Sequence, residues 1–217
     1  SWLDCGSLHF RGASVTIPHK ENLLRFVTEM GGEIEPLAQR IGAANTLTVR
    51  DDGSLYASNT DYAAALDAVV DGMGIQRSDL LGKKVAVVGA GGASRAVVAG
   101  FAEHGAKVFL HNRTLEKAQA LADEFSDLPG QIIAKPADDI CDSCCDVFIN
   151  CTPLGMHPDV DTTPMPVGVL KEGGKGWGPD KIVFDTVYNP VKTKLLQDAE
   201  AAGCKTVTGV EMFVRQG

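Results

Sequence analysis

The amino-acid sequence predicts an α/β chain in two parts, a small mixed unit followed by a doubly wound parallel sheet. Three observations predict it. The apolar run Lys84-Val85-Ala86-Val87-Val88 breaks into Gly89-Ala90-Gly91-Gly92, and a small-residue helical pattern follows from Ala93 through Val97, Val98 and Phe101. From Lys83 onward, apolar strands alternate with helical patterns, which implies a parallel sheet covered on both faces. Before that point, strand and helix signals are mixed around a hairpin signal at Asp52-Gly53.

Taken in order, Ser14-Val15-Thr16-Ile17 alternates like a strand, and Pro18 suits a first helical position. Leu23, Phe26, Val27 and Met30 recur at helical spacing until Gly31-Gly32. This puts Lys20 in a first turn, at the positive end of a helix dipole, where a cation is disfavoured. Such a setting suits a residue that gives and takes a proton, although most lysines are simply solvated surface. Ile41 to Val49 reads as a loop entering a strand, and Leu55-Tyr56-Ala57-Ser58 as the return strand. Asn59-Thr60-Asp61 precedes an apolar helical run at Ala65, Leu66, Val69 and Val70, so Thr60 or Asp61 reads as its N-cap. Residues 72–82 read as a polar connector, with a domain boundary near Leu81. Strands are then expected near 85–89, 107–111, 131–134, 147–150, 182–186 and 205–208, with helices near 93–104, 115–125 and 193–202. His157 to Lys181, rich in Pro and Gly, reads as a mobile surface loop. In the closing segment, Val210, Phe213 and Val214 share a helix face after Gly209, and Gln216 stands at the helix end.

The glycine cluster carries chemistry. Gly89 allows a tight turn and Gly91 a close approach of backbone N–H groups to a pyrophosphate, which the helix N-terminus then faces. Ser94 stands where the third glycine of G-x-G-x-x-G is expected. About 20 residues on, where such a fold places its ribose reader, the chain has Asn112-Arg113-Thr114 rather than an acid. A guanidinium matches a phosphate in charge and shape, so NADP is expected over NAD. Ligands in such sheets bind beyond the strands' carboxyl ends. Besides the glycine turn, Thr152 to Met156 and Thr186 to Pro190 lie there.

Composition excludes other classes. The 217 residues carry 44% hydrophobic and 22% charged residues with a net charge of −8, which argues against nucleic acid or an anionic membrane as main partner. No run of about 18 apolar residues is present. Six cysteines at 5, 141, 144, 145, 151 and 204 are irregularly spaced, so reduced thiols are expected. Cys141, Cys144 and Cys145 resemble half a metal site without its second half, and no metal is expected. The chain begins at Ser1 without Met and stops after a helix pattern, so both ends read as cut.

Seven ordered motifs resemble the shikimate dehydrogenase family. They are Ser14-Val15-Thr16-Ile17-Pro18-His19-Lys20, Gly42-Ala43-Ala44-Asn45-Thr46, Asn59-Thr60-Asp61, the Gly89–Ala96 turn, Asn112-Arg113-Thr114, Asp185 to Pro190, and Gly209-Val210-Glu211-Met212. Ser14 and the stretch Pro158 to Pro166 are similar to the dehydrogenase half of plant bifunctional dehydroquinate dehydratase–shikimate dehydrogenases. The resemblance implies an incomplete N-terminal α/β substrate domain over residues 1–81, a Rossmann-like NADP-binding domain over 82–208, and from 209–217 the start of a helix returning to the first domain. It implies reduction of 3-dehydroshikimate to shikimate with NADPH, in aromatic amino acid (chorismate) biosynthesis. Lys20 and Asp61 would form the catalytic pair; with them Thr16, Asn45, Tyr188 and Gln216 would bind substrate. Gly89, Ala90, Gly91, Gly92, Ala93, Asn112, Arg113, Thr114, Lys117, Thr186 and Gly209 would hold NADP.

It further implies a small-molecule partner, a cytoplasmic location (or plastid stroma for a plant or alga) and, in the plant-like case, a dehydratase domain upstream. The family's Ser-x-Ser pair for the substrate carboxylate is missing from residues 1–13. If these residues were the whole molecule, NADP binding would outlast turnover. The competing readings are a quinate/shikimate dehydrogenase and a non-catalytic NADP-binding module.

Overall fold

The computed structural model describes residues 10–16, 19–140, 145–165 and 177–216. The chain divides into two compact units, Ser1–Asp61 and Tyr62–Gly217.

The first unit runs β1 (Gly12–Ser14), α1 (Lys20–Glu29), β2 (Glu33–Ile34), α2 (Pro36–Ile41), β3 (Thr46–Val49) and β4 (Leu55–Ser58), and ends within α3 (Thr60–Met73). Its sheet has the order β1-β3-β4-β2. β3 is antiparallel to β1 and β4, whereas β2 is parallel to β4. The Asp52-Gly53 signal makes the β3–β4 hairpin: Gly53 has φ +82°, and the Asp52 carboxylate accepts from the Ser54 amide and hydroxyl. α1 buries Leu23 and Val27 against Leu47, Leu55 and Ala57 but leaves Phe26 and Met30 exposed. The first strand sits two residues earlier than the alternation predicts, because Gly12–Ser14 pairs with Thr46–Thr48. Val15 continues that alignment only through its amide, to Asn45 O. Ile17 and Pro18 lie outside the described residues, and α1 starts at Lys20.

The second unit contains most of α3, a 3-10 turn at Arg77–Leu80, and then β5 (Lys84–Val88), α4 (Gly92–Glu103), β6 (Lys107–Asn112), α5 (Leu115–Glu124), β7 (Gln131–Pro136), β8 (Val147–Asn150), β9 (Ile182–Asp185), α6 (Lys194–Ala201), β10 (Lys205–Val207) and α7 (Gly209–Val214). Its six-stranded sheet is parallel throughout, in the order β10-β9-β8-β5-β6-β7. The chain winds outward from β5 in one direction and from β8 in the other, which makes the β5/β8 junction the switch point. β5, β8 and β9 are almost wholly buried, as strands covered on both faces must be.

The division within α3 differs from the boundary expected near Leu81. The reason is packing: a Cβ on Gly100 of α4 would lie 3.2 Å from Tyr62, and one on Gly72 would lie 3.1 Å from Ile182 and Val207. Leu80, in the supposed connector, is fully buried. His157 to Lys181 is not all surface loop either. Met165 and Trp177 join the core, with the Trp177 ring edge-on to Phe148 at 6.1 Å, while 166–176 lie outside the described residues. On α7, Gly209 and Met212 are buried, and the face that carries Phe213 and Val214 is exposed. No described helix is long and apolar enough to cross a membrane.

Candidate active site and nucleotide turn

In the first unit, three separate segments converge. Lys20 opens α1, and its carbonyl accepts from the Ala44 amide, which ties the Gly42–Asn45 loop to that helix. Asn45 extends the hairpin, its amide donating to Ser58 O and its carbonyl accepting from Val15. Asp61 lies in the first turn of α3, where the dipole favours a carboxylate. Lys20 Nζ donates to Asp61 Oδ2 at 2.6 Å, with the lysine side chain 18% exposed and the carboxylate 5%. The ammonium therefore has donors left to offer a ligand, while the carboxylate is enclosed.

Asn45 organises the carboxylate. Its Nδ2 donates to Asp61 Oδ1 at 3.0 Å and to Thr60 Oγ1 at 3.1 Å, and its Oδ1 accepts from the Thr60 amide. Both amide hydrogens thus serve the protein itself. The N-cap of α3 is neither Thr60 nor Asp61 but Asn59, whose Oδ1 accepts from the Asp61 amide at 2.9 Å. Asn59 is itself fixed, through Nδ2 to Ala43 O and through its amide to Glu35. An Asn before Thr-Asp and an apolar run is the capping signal that the sequence itself carries here. Thr16 is exposed, three residues before His19.

In the second unit, Gly89 ends β5 with φ +108°, and a Cβ there would meet Thr152 and Cys151 across the switch point at 3.1–3.3 Å. Gly91 is the N-cap residue of α4 and Gly92 its first residue. A Cβ on either would meet no protein atom within 4 Å. The protein's own packing does not demand glycine there, whereas a pyrophosphate pressed onto the helix N-terminus would. The residues present fit NADP. Ser94 replaces the third glycine at no cost: it is fully buried and its Oγ donates to Gly89 O.

At the end of β6, Asn112 Nδ2 donates to Thr114 O, and Thr114 is the N-cap residue of α5. Arg113 and Lys117 are exposed beside that helix start. Thr186 follows β9, and its Oγ1 donates to Asn150 O at 2.8 Å. Tyr188 is exposed, its ring 5.8 Å from that of Phe213 on α7, and the Gln216 amide donates to Phe213 O. A Cβ on Gly209 would lie 2.4 Å from Val187 O, so only glycine lets α7 start against that loop. Arg215 donates to Asp71 of α3 at 2.8 Å. Cys145 is buried in the core, and Cys5, Cys141 and Cys144 lie outside the described residues.

A glycine turn at the switch point of a parallel doubly wound sheet, on a chain that also carries an enclosed lysine–carboxylate pair, defines a dinucleotide-dependent oxidoreductase. The comparisons narrow this. The model of the shikimate dehydrogenase substrate binding domain matches residues 4–47, and that of shikimate/quinate 5-dehydrogenase matches residues 74–153. The NADP(+) shikimate dehydrogenase of Methanosarcina mazei is 40% identical over 99% of this chain and 73% of its own length. The chloroplastic bifunctional 3-dehydroquinate dehydratase/shikimate dehydrogenase of Arabidopsis thaliana is also 40% identical, over 97% of this chain and 34% of its own. The Thermus thermophilus shikimate 5-dehydrogenase, solved with NADP(H) and shikimate, superposes with a TM-score of 0.77 at 34% identity, covering 99% of this chain and 73% of that one. The Corynebacterium glutamicum quinate dehydrogenase, solved with NAD, gives 0.81 at 31% identity over the same shares. The chain belongs to the shikimate dehydrogenase family.

Proposed function

We propose that the protein interconverts 3-dehydroshikimate and shikimate with NADP, with Lys20 and Asp61 as its acid–base pair. The 2.6 Å contact between Lys20 Nζ and Asp61 Oδ2 carries this reading. When bound, NADPH supplies a hydride to the carbonyl carbon of the substrate. Negative charge then grows on the carbonyl oxygen, and the Lys20 ammonium is the group placed to stabilise it and deliver the proton. In the opposite direction the neutral amine takes the hydroxyl proton. Asp61 keeps Lys20 in place and offsets its charge, and Asn45 aims Asp61. Thr16, Asn45, Tyr188 and Gln216 are proposed to contact the substrate's hydroxyls or carboxylate. The backbone of Gly89–Ala93, with Thr186 and the Gly209 turn, is proposed to hold the nucleotide. Arg113, with Asn112, Thr114 and Lys117, is proposed to read the 2′-phosphate, because two exposed cations beside a helix N-terminus favour an anion.

The test is the initial rate of NADPH consumption with 3-dehydroshikimate, and of NADP reduction with shikimate and with quinate. Turnover of shikimate well above quinate is expected. A quinate rate equal or higher favours the quinate reading, and cofactor binding without turnover of either leaves a non-catalytic nucleotide module.

A further inference from the structure

We propose that Asp185 is a positioning residue, one buried carboxylate that ties together the two loops leaving β8 and β9 and so sets Thr186 and Tyr188. The proposal rests on the assignment of those loops to cofactor and substrate made above. Asp185 ends β9 opposite Asn150, which ends β8, and both are fully buried. Asp185 Oδ1 accepts from Asn150 Nδ2 and from the Val187 amide, each at 3.0 Å. Oδ2 accepts from Thr193 Oγ1 at 2.6 Å, and Thr193 caps α6 by accepting from the Leu196 amide.

Asn150 passes the tie onward. Its Nδ2 also donates to Leu154 O at 3.1 Å, and its Oδ1 accepts from the amide and hydroxyl of Thr152. Its carbonyl accepts from the amide and hydroxyl of Thr186. The two side chains thereby fix Thr152–Leu154 and Val187, and the main-chain carbonyl of Asn150 fixes Thr186 between them. Burial pushes the Asp185 carboxyl above the usual range, and the three groups bonded to it are neutral. A buried carboxylate without a cation is costly in a core where a valine would pack. What it gains is direction: it holds two loops at the carboxyl ends of neighbouring parallel strands, where such sheets bind ligands.

The experiment uses the full chain with Asp185→Ala, Asp185→Asn and Thr193→Val. KM for NADPH and for shikimate, kcat, NADPH affinity by fluorescence, and melting temperature are measured. Asp185→Ala is expected to raise KM for NADPH about tenfold or more. Asp185→Asn, which keeps the Oδ1 acceptor, is expected to return it to within about threefold, and Thr193→Val to raise it severalfold. A role in stability alone lowers the melting temperature and the active fraction but leaves the KM of the surviving enzyme unchanged. That result, or wild-type KM in both Asp185→Ala and Thr193→Val, overturns the proposal. If Asp185→Ala does not fold, wild-type KM in Thr193→Val overturns it alone. A wild-type protein that neither binds NADPH nor oxidises shikimate instead refutes the proposed function, and this inference falls with it.

Discussion

Lys20 and Asp61 are held by side chains: Asn45 grips the carboxylate, Asn59 caps the helix beneath it, and the ion pair closes at 2.6 Å. Around residues 89–93 the groups proposed to hold the nucleotide are main-chain amides, and Gly91 and Gly92 leave open space beside them. At the first site specificity is built by adding polar atoms, each of which needs a partner because it is buried. At the second it is built by leaving atoms out, so that an outside anion can supply the missing partner. The two should therefore fail differently. Substitution at the first should damage chemistry with cofactor affinity kept, and substitution at the second should damage affinity with chemistry kept.

The largest effect expected is that of Lys20→Ala, which should lower kcat by about a hundredfold or more while NADPH affinity, measured by fluorescence titration, stays unchanged. An unchanged kcat would remove Lys20 from the mechanism and dissolve the contrast. Next comes Arg113→Ala. A charge-assisted bond to a phosphate contributes about 1.5–3 kcal/mol, so NADPH binding should weaken roughly 10- to 100-fold and NADH binding hardly at all. Equal losses for both cofactors would undo the 2′-phosphate assignment.

A pair of glycines sharpens the comparison within one unit. Gly209→Ala drives a methyl into Val187 O and Thr186 O and should destabilise the fold by about 1–3 kcal/mol in a denaturant titration. Gly91→Ala, with open space around its Cβ, should melt near wild type yet bind NADPH more weakly. If Gly91→Ala binds normally, the space over α4 is not the pyrophosphate site.

The smallest effect concerns His111, buried in β6 beneath the turn: its carbonyl accepts from Gly89, and its Nδ1 bonds Pro136 O. Burial holds its imidazole below the ordinary value of 6.5. The folded state therefore resists charging it, and stability present above pH 6.5 is lost as pH falls through that value toward the lower folded one. Melting temperature should drop more steeply between pH 7 and pH 5 in the wild type than in His111→Gln. Parallel slopes would exclude His111 as the source.

The larger unit was legible because its signals are local. Each predicted strand and helix from 85 to 208 has a counterpart within a few residues, since an apolar run ended by Gly or Pro needs no distant partner to be read. The first strand was misplaced because its extent is set by pairing with Thr46–Thr48, which lie more than thirty residues away. The division within α3 lies before the boundary expected near Leu81 for a similar reason: residues 72–82 look like a polar connector, yet Gly72 sits close against Ile182 and Val207, and Leu80 is fully buried. Lys20, Asn45 and Asp61 could be named one by one from their motifs, but their convergence could not, because no local pattern encodes a contact across 41 residues. Asn59 and Asp185 stood inside recognised motifs and still went unassigned. Their work is to orient neighbours, and a residue type alone does not show whom it orients.

Ser94 bears on how such chains are recognised at all. A signature written purely in glycines demands an absence of bulk, yet this chain meets the demand with a hydroxymethyl group that turns inward and quiets the carbonyl beside it. Alanine there would be as slim but would leave that oxygen stranded, so the position selects on two criteria, girth and proton supply. Searches that spell the loop as small residues with one able to donate would retrieve relatives that a strict glycine spelling discards.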